Sequence, residues 1–136
     1  MAEHGDVDGI IHLERVVFDN NLLDREWYRG KSSAPGYSQD LHLHAVAPGG
    51  KLVAFANGWA DLDARVGELE SVRTLSTARK RLVAATVLAC FRRMQRLGVR
   101  RAYVATEAEP YAANRLYELL GPSVKCYEDH WVKKLR

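Results

Sequence analysis

Cysteine is scarce in this chain of 136 residues, which contains only Cys90 and Cys126. The two are far apart in the sequence and match no spacing of metal ligands, so the pattern excludes a metal site built on cysteine pairs. In a reducing cytosol both would remain thiols. We expect Cys90, which lies in an apolar segment, to be a small core residue.

Long apolar runs are absent too. No stretch approaches the roughly 20 apolar residues that cross a bilayer, and the first residues, MAEHGDVDG, have neither the basic start nor the apolar segment of a secretory signal. We therefore expect no membrane association and, by default, a cytoplasmic location. With 47% hydrophobic and 27% charged residues, the chain has the composition and length of one globular domain spanning residues 1–136.

A large excess of one charge is also missing. The chain has 20 basic and 17 acidic residues, a net charge of +3 that permits an anionic ligand without requiring one. A basic cluster comprises Arg92, Arg93, Arg96, Arg100 and Arg101. No aromatic residues are interleaved with it, as a base-stacking platform requires, so we interpret it as a solvated face and predict no nucleic-acid partner.

The most informative absence is that of glycine in VRTLSTARKRLVAATVL, residues 72–88. The segment has the pattern of a strand that runs through a basic turn into a helix, a common phosphate-binding geometry. Arg79, Lys80 and Arg81 crowd the helix N-terminus, where each cation costs about 0.3 to 1 kcal/mol unless an anion offsets it. Either a diphosphate binds there, or the three side chains simply point into solvent, where the charges are screened.

The first part of the chain predicts two helices and a loop, which together extend to about residue 36. Asp6 can cap a helix over VDGIIHLERVVF, residues 7–18, whose apolar residues recur at helical spacing. A shorter helix is expected over LDREWYR, residues 23–29. The segment RGKSSAPGYSQD, residues 29–40, is rich in Gly, Ser and Pro and predicts a loop.

Three antiparallel strands are predicted within residues 40–75. DLHLHAVA alternates strictly and indicates a half-buried strand, with its leucines facing the core and His42 and His44 facing water. PGGK forms a tight turn to a second strand, LVAFANGWA, and RVGELESVRTL forms the third. Two histidines could offer two metal ligands, but zinc sites need three or four, so no metal is predicted.

The last part, residues 79–136, predicts a helix, a strand, a second helix and one or two final strands. The first helix has an apolar stripe made of Val83, Val87, Phe91 and Met94. Gly98 caps this helix, and RAYVAT follows as a strand joined to the previous one by a parallel crossover. YAANRLYELL forms the last helix. The fold class is therefore α+β, a mostly antiparallel sheet with one parallel crossover and helices on both faces.

Two blocks of the sequence, GELESVRTLSTARKRLVAATVL and YAANRLYELLG, resemble the acetyl-coenzyme A core of the GNAT superfamily of N-acetyltransferases. The similarity covers nearly the whole chain from Asp6 onward. It implies the GNAT acyl-CoA N-acyltransferase fold. It also implies transfer of an acetyl group from acetyl-coenzyme A, without a metal, to an amine of a small molecule or peptide by direct attack.

The resemblance also implies which residues bind the coenzyme. The backbone of the third strand, at Val72, Arg73 and Thr74, would pair with the pantetheine arm. The turn and helix N-terminus would bind the pyrophosphate through Arg79, Lys80, Arg81, Leu82, Val83, Ala84 and Ala85. Arg79 and Ala84 match the ends of the family's turn pattern, but Leu82 stands where its first glycine belongs. Either the Leu82 side chain turns into the core, or it pushes the phosphate outward.

Catalysis requires a base for the incoming ammonium and an acid for the leaving thiolate. Glu68 and Glu70 share one face of the third strand with Val72 and Thr74 by simple alternation, and the resemblance places the base near Glu68. Tyr117 matches the family's general acid. The structural alternatives are a solvated strand face for the glutamates and a core position for Tyr117 on an apolar helix face. Pro110 and Pro122 replace an asparagine and a phenylalanine that the family often has, which weakens the comparison around Tyr117.

GNAT proteins normally begin with a strand before their first helix, which the five residues before Asp6 do not provide. If that strand is absent, DLHLHAVA becomes a sheet edge that favours pairing with another chain, and we expect a homodimer. Otherwise, the chain as given begins downstream of its natural start. The alternative function is a catalytically degenerate GNAT-fold protein that serves as a binding or assembly module.

Overall fold

The computed structural model describes residues 6–76, 80–106, 112–128 and 133–134. In these ranges the elements are α1 (Val7–Phe18), α2 (Arg25–Ser32), β1 (Tyr37–Val46), β2 (Leu52–Asp61), β3 (Val66–Thr74), α3 (Lys80–Arg96), β4 (Arg101–Tyr103) and α4 (Ala112–Leu119). The chain divides into two compact units. Met1–Ala105 holds α1 to β4, Thr106–Arg136 holds α4, and each unit is described by itself.

Aspartate caps begin the first two helices. The Asp6 carboxylate accepts a hydrogen bond from the Gly9 amide at 2.8 Å, and Asp24 accepts one from the Trp27 amide at 2.8 Å. The predicted bounds of α1 are confirmed. Because Asp24 is the cap, α2 begins later than predicted and continues to Ser32, so the predicted loop over residues 29–40 is wrong at both ends.

The sheet has the order β1-β2-β3-β4. The β1–β2 and β2–β3 pairs are antiparallel and the β3–β4 pair is parallel, which confirms the α+β class and the crossover through α3. Gly98, with φ of 95°, caps α3 as expected. Residues 123–128, where a final strand was predicted to begin, are not in a strand, and residues 129–132 lie outside the described ranges.

Helix α3 covers one face of the sheet through Val83, Val87, Cys90 and Met94, all of which are buried. Cys90 replaces Phe91 in the stripe predicted from the sequence, because Phe91 is only partly buried. The Cys90 thiol donates a hydrogen bond to the Leu41 carbonyl at 3.4 Å, and burial raises its pKa to about 12. Cys90 is therefore a core residue, as expected.

The other face of the sheet is covered by α1 and α2. Ile10 and Leu13 of α1 pack against Leu52 and Phe55 of β2 in a buried cluster. His42 and His44 are on this face too and are buried beside Phe55, with their ring centroids 4.4 Å apart. The prediction that the histidines face water is wrong, because β1 is covered on both faces over residues 41–45.

Strand β1 is the outer strand on one side of the sheet that the structure describes, as the sequence predicted. Among the described residues, no helix combines the length and apolar character required to span a bilayer.

Candidate functional site

A β-bulge in β3 is the local irregularity from which the site is built. Glu70 lies opposite Asn57 of β2, and Val72 lies opposite Ala56, so Ser71 has no residue opposite it. Ser71 has φ of 63°, in the left-handed region that residues other than glycine rarely adopt. Bulges of this kind bend a strand and redirect its side chains, and they are frequent beside active sites.

The bulge changes which residues share a face. Directly opposed residues of antiparallel strands lie on the same side of a sheet. Glu68 and Glu70 therefore share the α1–α2 face with their partners on β2, whereas Val72 lies opposite Ala56 on the α3 face and Thr74 lies opposite Ala54. The expectation that Val72 and Thr74 share a face with the two glutamates is wrong, because alternation across Ser71 is interrupted.

An open cleft of about 440 Å³ lies against this bulge, lined by residues of α1, α2, β2 and β3. Its aromatic residues are Phe18, Trp27 and Trp59. Its polar residues are Glu14, Lys31, Asn57, Glu70 and Ser71. Apolar walls with a few polar groups are typical of small-molecule sites, and we take this cleft as the candidate active site.

A buried charge cluster forms one wall of the cleft. The Glu14 side chain is 0% exposed, and its Oε1 lies 2.8 Å from Lys31 Nζ and 3.3 Å from His42 Nε2. Burial alone would raise the pKa of the Glu14 carboxyl, but the His42 hydrogen bond and the Lys31 charge outweigh it and hold that pKa below its ordinary value. Glu14 is therefore an ionised carboxylate.

His42 links this carboxylate to a tyrosine pair. Burial and, to a lesser degree, the Lys31 charge lower the pKa of His42 despite its hydrogen bond to Glu14, so the ring is neutral at pH 7. We assign the proton of the neutral ring to Nε2, which lies 3.3 Å from Glu14 Oε1, so that Nδ1 accepts a hydrogen bond from the Tyr37 hydroxyl at 3.1 Å. The Tyr28 hydroxyl lies 3.5 Å from that of Tyr37. Burial, followed by this contact, raises the pKa of Tyr37.

The two candidate bases have different surroundings. Glu70 is exposed and lines the cleft. Glu68 is partly buried and accepts a hydrogen bond from the Tyr103 hydroxyl of β4 at 3.0 Å, and it is not among the residues that line the cleft. The structure therefore brings only one of the two predicted carboxylates to the cleft wall.

The strand residues predicted to bind the coenzyme follow directly after the bulge. The Arg73 guanidinium lies 5.3 Å from the ring centre of Phe18, which lines the cleft. Thr74 Oγ1 donates to the Val53 carbonyl at 3.3 Å. Val72 is partly buried.

The helix residues predicted to bind the pyrophosphate form the first turns of α3. Arg81 and Ala85 are exposed, Leu82 and Ala84 are partly buried, and Val83 is buried in the core. Thr86 Oγ1 donates to the Leu82 carbonyl at 2.8 Å. Lys80 is the first residue of α3, and Arg79 lies outside the described residues. The amides of a first helical turn have no acceptors within the helix itself.

Tyr117, the predicted acid, lies in α4 and is partly buried. Its neighbours on the predicted apolar face, Ala113, Leu116 and Leu120, are also partly buried. The structure describes α4 in a unit of its own, so the role of Tyr117 stays a prediction.

A second depression, of about 430 Å³, lies on α1 and α2. It is lined by Asp8 and Arg25, which form a largely exposed ion pair, and by no residue of β3. We assign no function to it. Among the described residues, no group of three or more His, Cys, Asp or Glu side chains is arranged to hold a metal ion.

The sequence analysis missed Glu14, Lys31 and Asn57. Glu14 could have been found, because it follows Ile10 by four positions and Leu13 by one and so lies on the apolar stripe of α1. A charged residue on such a stripe is rare unless it is paired or functional. Lys31 and Asn57 show no comparable pattern, since Lys31 falls in the segment predicted as a loop.

Comparison with known proteins gives a family match over most of the chain. The Acetyltransferase (GNAT) family matches residues 10–121. No curated protein matches this chain.

Solved structures with the same fold align with nearly all of this chain. An aminoglycoside acetyltransferase from an uncultured soil metagenomic sample, in complex with trehalose, has a TM-score of 0.73 and 13% identity, covering 95% of this chain and 88% of its own. AAC(6')-Iy, in complex with the bisubstrate analogue CoA-S-monomethyl-acetylneamine, has a TM-score of 0.73 and 19% identity, with coverage of 94% and 91%. A Trypanosoma brucei acetyltransferase has a TM-score of 0.69 and 15% identity, with coverage of 98% and 96%.

Proposed function

This chain belongs to the Acetyltransferase (GNAT) family and is an acetyltransferase that depends on acetyl-coenzyme A, and we propose that it acetylates an amine of a small molecule bound in the cleft beside the Ser71 bulge. The observation that carries the proposal is the position of Glu70 at the wall of this cleft, next to the bulge. The cleft's size and its aromatic walls favour a small molecule over a folded protein. Two of the similar structures are aminoglycoside acetyltransferases, which supports a small-molecule amine.

The reaction that we propose conserves atoms and charge in three steps. Glu70 accepts a proton from the acceptor's ammonium group, so that the nitrogen has a lone pair. The nitrogen attacks the thioester carbonyl carbon of acetyl-coenzyme A, and the C–S bond breaks as the amide C–N bond forms. The leaving thiolate takes a proton from an acid, a role that we assign to Tyr117 on the resemblance to the family. The new amide nitrogen loses its second proton through water to the Tyr117 phenolate, and Glu70 releases its own proton to water.

Glu70 is assigned as the base because it meets the geometric condition for one. A base must reach the nitrogen directly or through one water, and Glu70 lines the cleft in which the acceptor would bind. Glu68, which the resemblance favoured, is occupied by the Tyr103 hydroxyl. Ser71 supplies a backbone amide beside Glu70, and because a bulged residue lies outside the strand ladder, we assign this N–H to polarise the thioester carbonyl.

We place the coenzyme along residues 72–74 and at the N-terminus of α3. The exposed Arg81 and the amides of the first turn would bind the pyrophosphate, and Val83, which is buried, would contribute only backbone. Calorimetric titration with acetyl-coenzyme A, followed by an assay of thiol release with simple amines, tests the proposed function. Absence of both binding and thiol release would contradict it and would favour the alternative of a non-catalytic binding module.

Replacing Leu82 by glycine is expected to tighten coenzyme A binding several-fold, because a glycine lets phosphate approach the backbone of the turn. The free protein should lose up to about 1 kcal/mol of stability through lower helix propensity. Leu88→Gly is the matched control, since Leu88 lies on the same helix at 40% exposure and away from its N-terminus. Equal coenzyme affinities in the two variants would remove Leu82 from the phosphate site.

Replacing both Arg79 and Arg81 by alanine is expected to weaken the same binding, and to weaken it less as salt rises, because screening already reduces their contribution. Arg92→Ala, an exposed change on the same helix, is the control for general charge. Calorimetry at two salt concentrations measures both.

Tyr117→Phe is expected to lower turnover by about 10²-fold or more, because the change removes only the hydroxyl that would protonate the thiolate. The melting temperature should change little. Tyr127→Phe provides the control, since Tyr127 is 72% exposed in the same unit. Steady-state thiol release measures the effect, and equal turnover in both variants would exclude Tyr117 from the mechanism.

We also propose a cytoplasmic homodimer, which the outer position of β1 supports. Its outer edge offers backbone donors and acceptors along Tyr37–Val46, and another copy of the same strand could pair with them. Sedimentation velocity at micromolar concentration should show the mass of two chains, and a single monomeric species would exclude the dimer.

A further inference from the structure

We propose that the acceptor of this acetyltransferase is a compact vicinal amino alcohol, a molecule in which a hydroxyl group is carried on the carbon next to the reacting amine. The inference rests on the proposed function and names the substrate class of the same cleft. It follows from three polar atoms in the cleft's lining residues, from the order in which the sheet places them, and from the charge of Lys31.

Three buried polar atoms of lining residues have no hydrogen-bond partner within the part of the chain that the structure describes. They are Glu14 Oε2, Asn57 Oδ1 and Trp59 Nε1. Glu14 is 0% and Asn57 1% exposed, so neither is a surface group with free access to water. Few buried polar atoms in proteins lack a partner, and those that do call for an explanation. Here, all three belong to residues that line one cleft, which points to a ligand.

The sheet places these residues in two neighbouring rows. His42, Asn57 and Glu70 lie opposite one another across β1, β2 and β3, and Glu14 Oε1 lies 3.3 Å from His42 Nε2 at the end of the row. Trp59 lies two residues further along β2 on the same face, opposite Glu68. Residues two apart on a strand are separated by about 6.5 Å. Residues of both rows line the same cleft, so one compact molecule bound there can contact both rows.

The chemistry of the three atoms defines the ligand's groups. Two of them are oxygens that accept hydrogen bonds, and the third belongs to an N–H group that donates one. A neutral amine that is ready to attack has two N–H groups. Glu70 and Asn57, which both lie in the first row, can each accept a hydrogen bond from one of them. Glu14 Oε2 and the Trp59 N–H then need one ligand group that donates to the first and accepts from the second. A hydroxyl does both, whereas a carbonyl only accepts.

Lys31 excludes a second ammonium in place of that hydroxyl. Its Nζ lies 2.8 Å from Glu14 Oε1, so the carboxylate is already paired with one cation. Another positive charge at Glu14 Oε2 would repel Lys31, whereas a neutral hydroxyl would not. The aromatic walls suit the carbon skeleton, and the cleft of about 440 Å³ limits it to a compact one.

A matched series of cyclic amines tests the inference. Thiol release from acetyl-coenzyme A would be measured with 2-aminocyclohexanol in both ring isomers, with cyclohexylamine, with 1,2-diaminocyclohexane and with 2-methoxycyclohexylamine, whose ether oxygen accepts a hydrogen bond but cannot donate one. We expect kcat/KM for one amino alcohol isomer to exceed that of each of the other amines by about tenfold or more, since only it pairs all three atoms.

Trp59→Phe assigns the preference to the indole N–H, because it keeps an aromatic ring and removes only the donor. The ratio of kcat/KM for amino alcohol over cyclohexylamine should fall towards one in this variant. Trp27→Phe makes the same chemical change on another wall of the cleft, and its ratio should stay as in the wild type.

The outcomes separate this inference from the proposed function. Acetylation of all the amines with equal kcat/KM would overturn the amino alcohol inference alone, as would a preference for the diamine or for the methoxy amine. A preference that survives Trp59→Phe would overturn the role of the three atoms. Acetylation of none of the amines would overturn the proposed function, and the inference with it.

Discussion

Replacing Glu70 by glutamine is expected to lower kcat/KM for amine acetylation by about 10²-fold or more, because the amide cannot accept the proton that the ammonium must lose. The side chain is exposed, so the free energy of unfolding should change by no more than about 0.5 kcal/mol. Activity lost to the variant should be partly regained at high pH, where the acceptor amine is already neutral. Thiol-release kinetics across a pH series measure both effects.

Glu68→Gln is the matched control for Glu70→Gln. It makes the same change two residues earlier on β3, where the carboxylate accepts a hydrogen bond from Tyr103. We expect a smaller loss of kcat/KM and no recovery at high pH. A larger loss at position 68 than at position 70 would identify Glu68 as the base, as the resemblance to the family first suggested.

Replacing Lys31 by methionine is expected to destabilise the protein by about 3 to 5 kcal/mol near pH 8, because it leaves the Glu14 carboxylate buried without its ammonium partner. Arg25→Met is the matched control. It also removes a cation on α2 that pairs with a carboxylate on α1, but the Arg25 and Asp8 side chains are 68% and 71% exposed. Such an exposed pair contributes about 0 to 1 kcal/mol. Urea unfolding measures both, and equal losses would mean that burial does not set the strength of the Lys31 pair.

The loss caused by Lys31→Met should depend on pH in a defined direction. In the wild type, the lowered pKa of His42 means that the unfolded chain binds more protons, so stability decreases as pH falls through about 6.5. The lowered pKa of Glu14 acts in the same direction at lower pH. In the variant the Lys31 charge no longer opposes protonation of His42, whose imidazolium can then pair with Glu14.

The variant should therefore recover part of its deficit between pH 8 and pH 6, while the wild type does not gain stability. The measurement is the difference in unfolding free energy between the two proteins at both pH values. A difference that stays constant would show that His42 does not replace the missing charge.

Local sequence signals were sufficient for most of the secondary structure. Asp6 followed by an apolar stripe gave the bounds of α1, and Gly98 marked the end of α3, because caps and stripes act within a few residues of the chain. The parallel crossover followed from a helix between two strands. The family followed from two blocks around the turn and the last helix, which the match over residues 10–121 bears out.

The candidate active-site cleft depended on contacts that no local signal contains. His42 and His44 alternate with apolar residues, as the side chains of a solvent-exposed strand face do, yet α1 and α2 cover them. What lies over a strand is decided by distant parts of the chain. The bulge at Ser71 interrupts the alternation that placed Val72 beside Glu70, and it exists only in the register with β2.

Lys31 reaches Glu14 across 17 positions of sequence, and Asn57 lies beside both only because β2 is the strand under these helices. The types of element and the family are therefore properties of short segments. The charge cluster, the candidate base at Glu70 and the three buried polar atoms belong to the packing of α1 and α2 on the sheet, where side chains distant in sequence lose water together and must find their partners in one another.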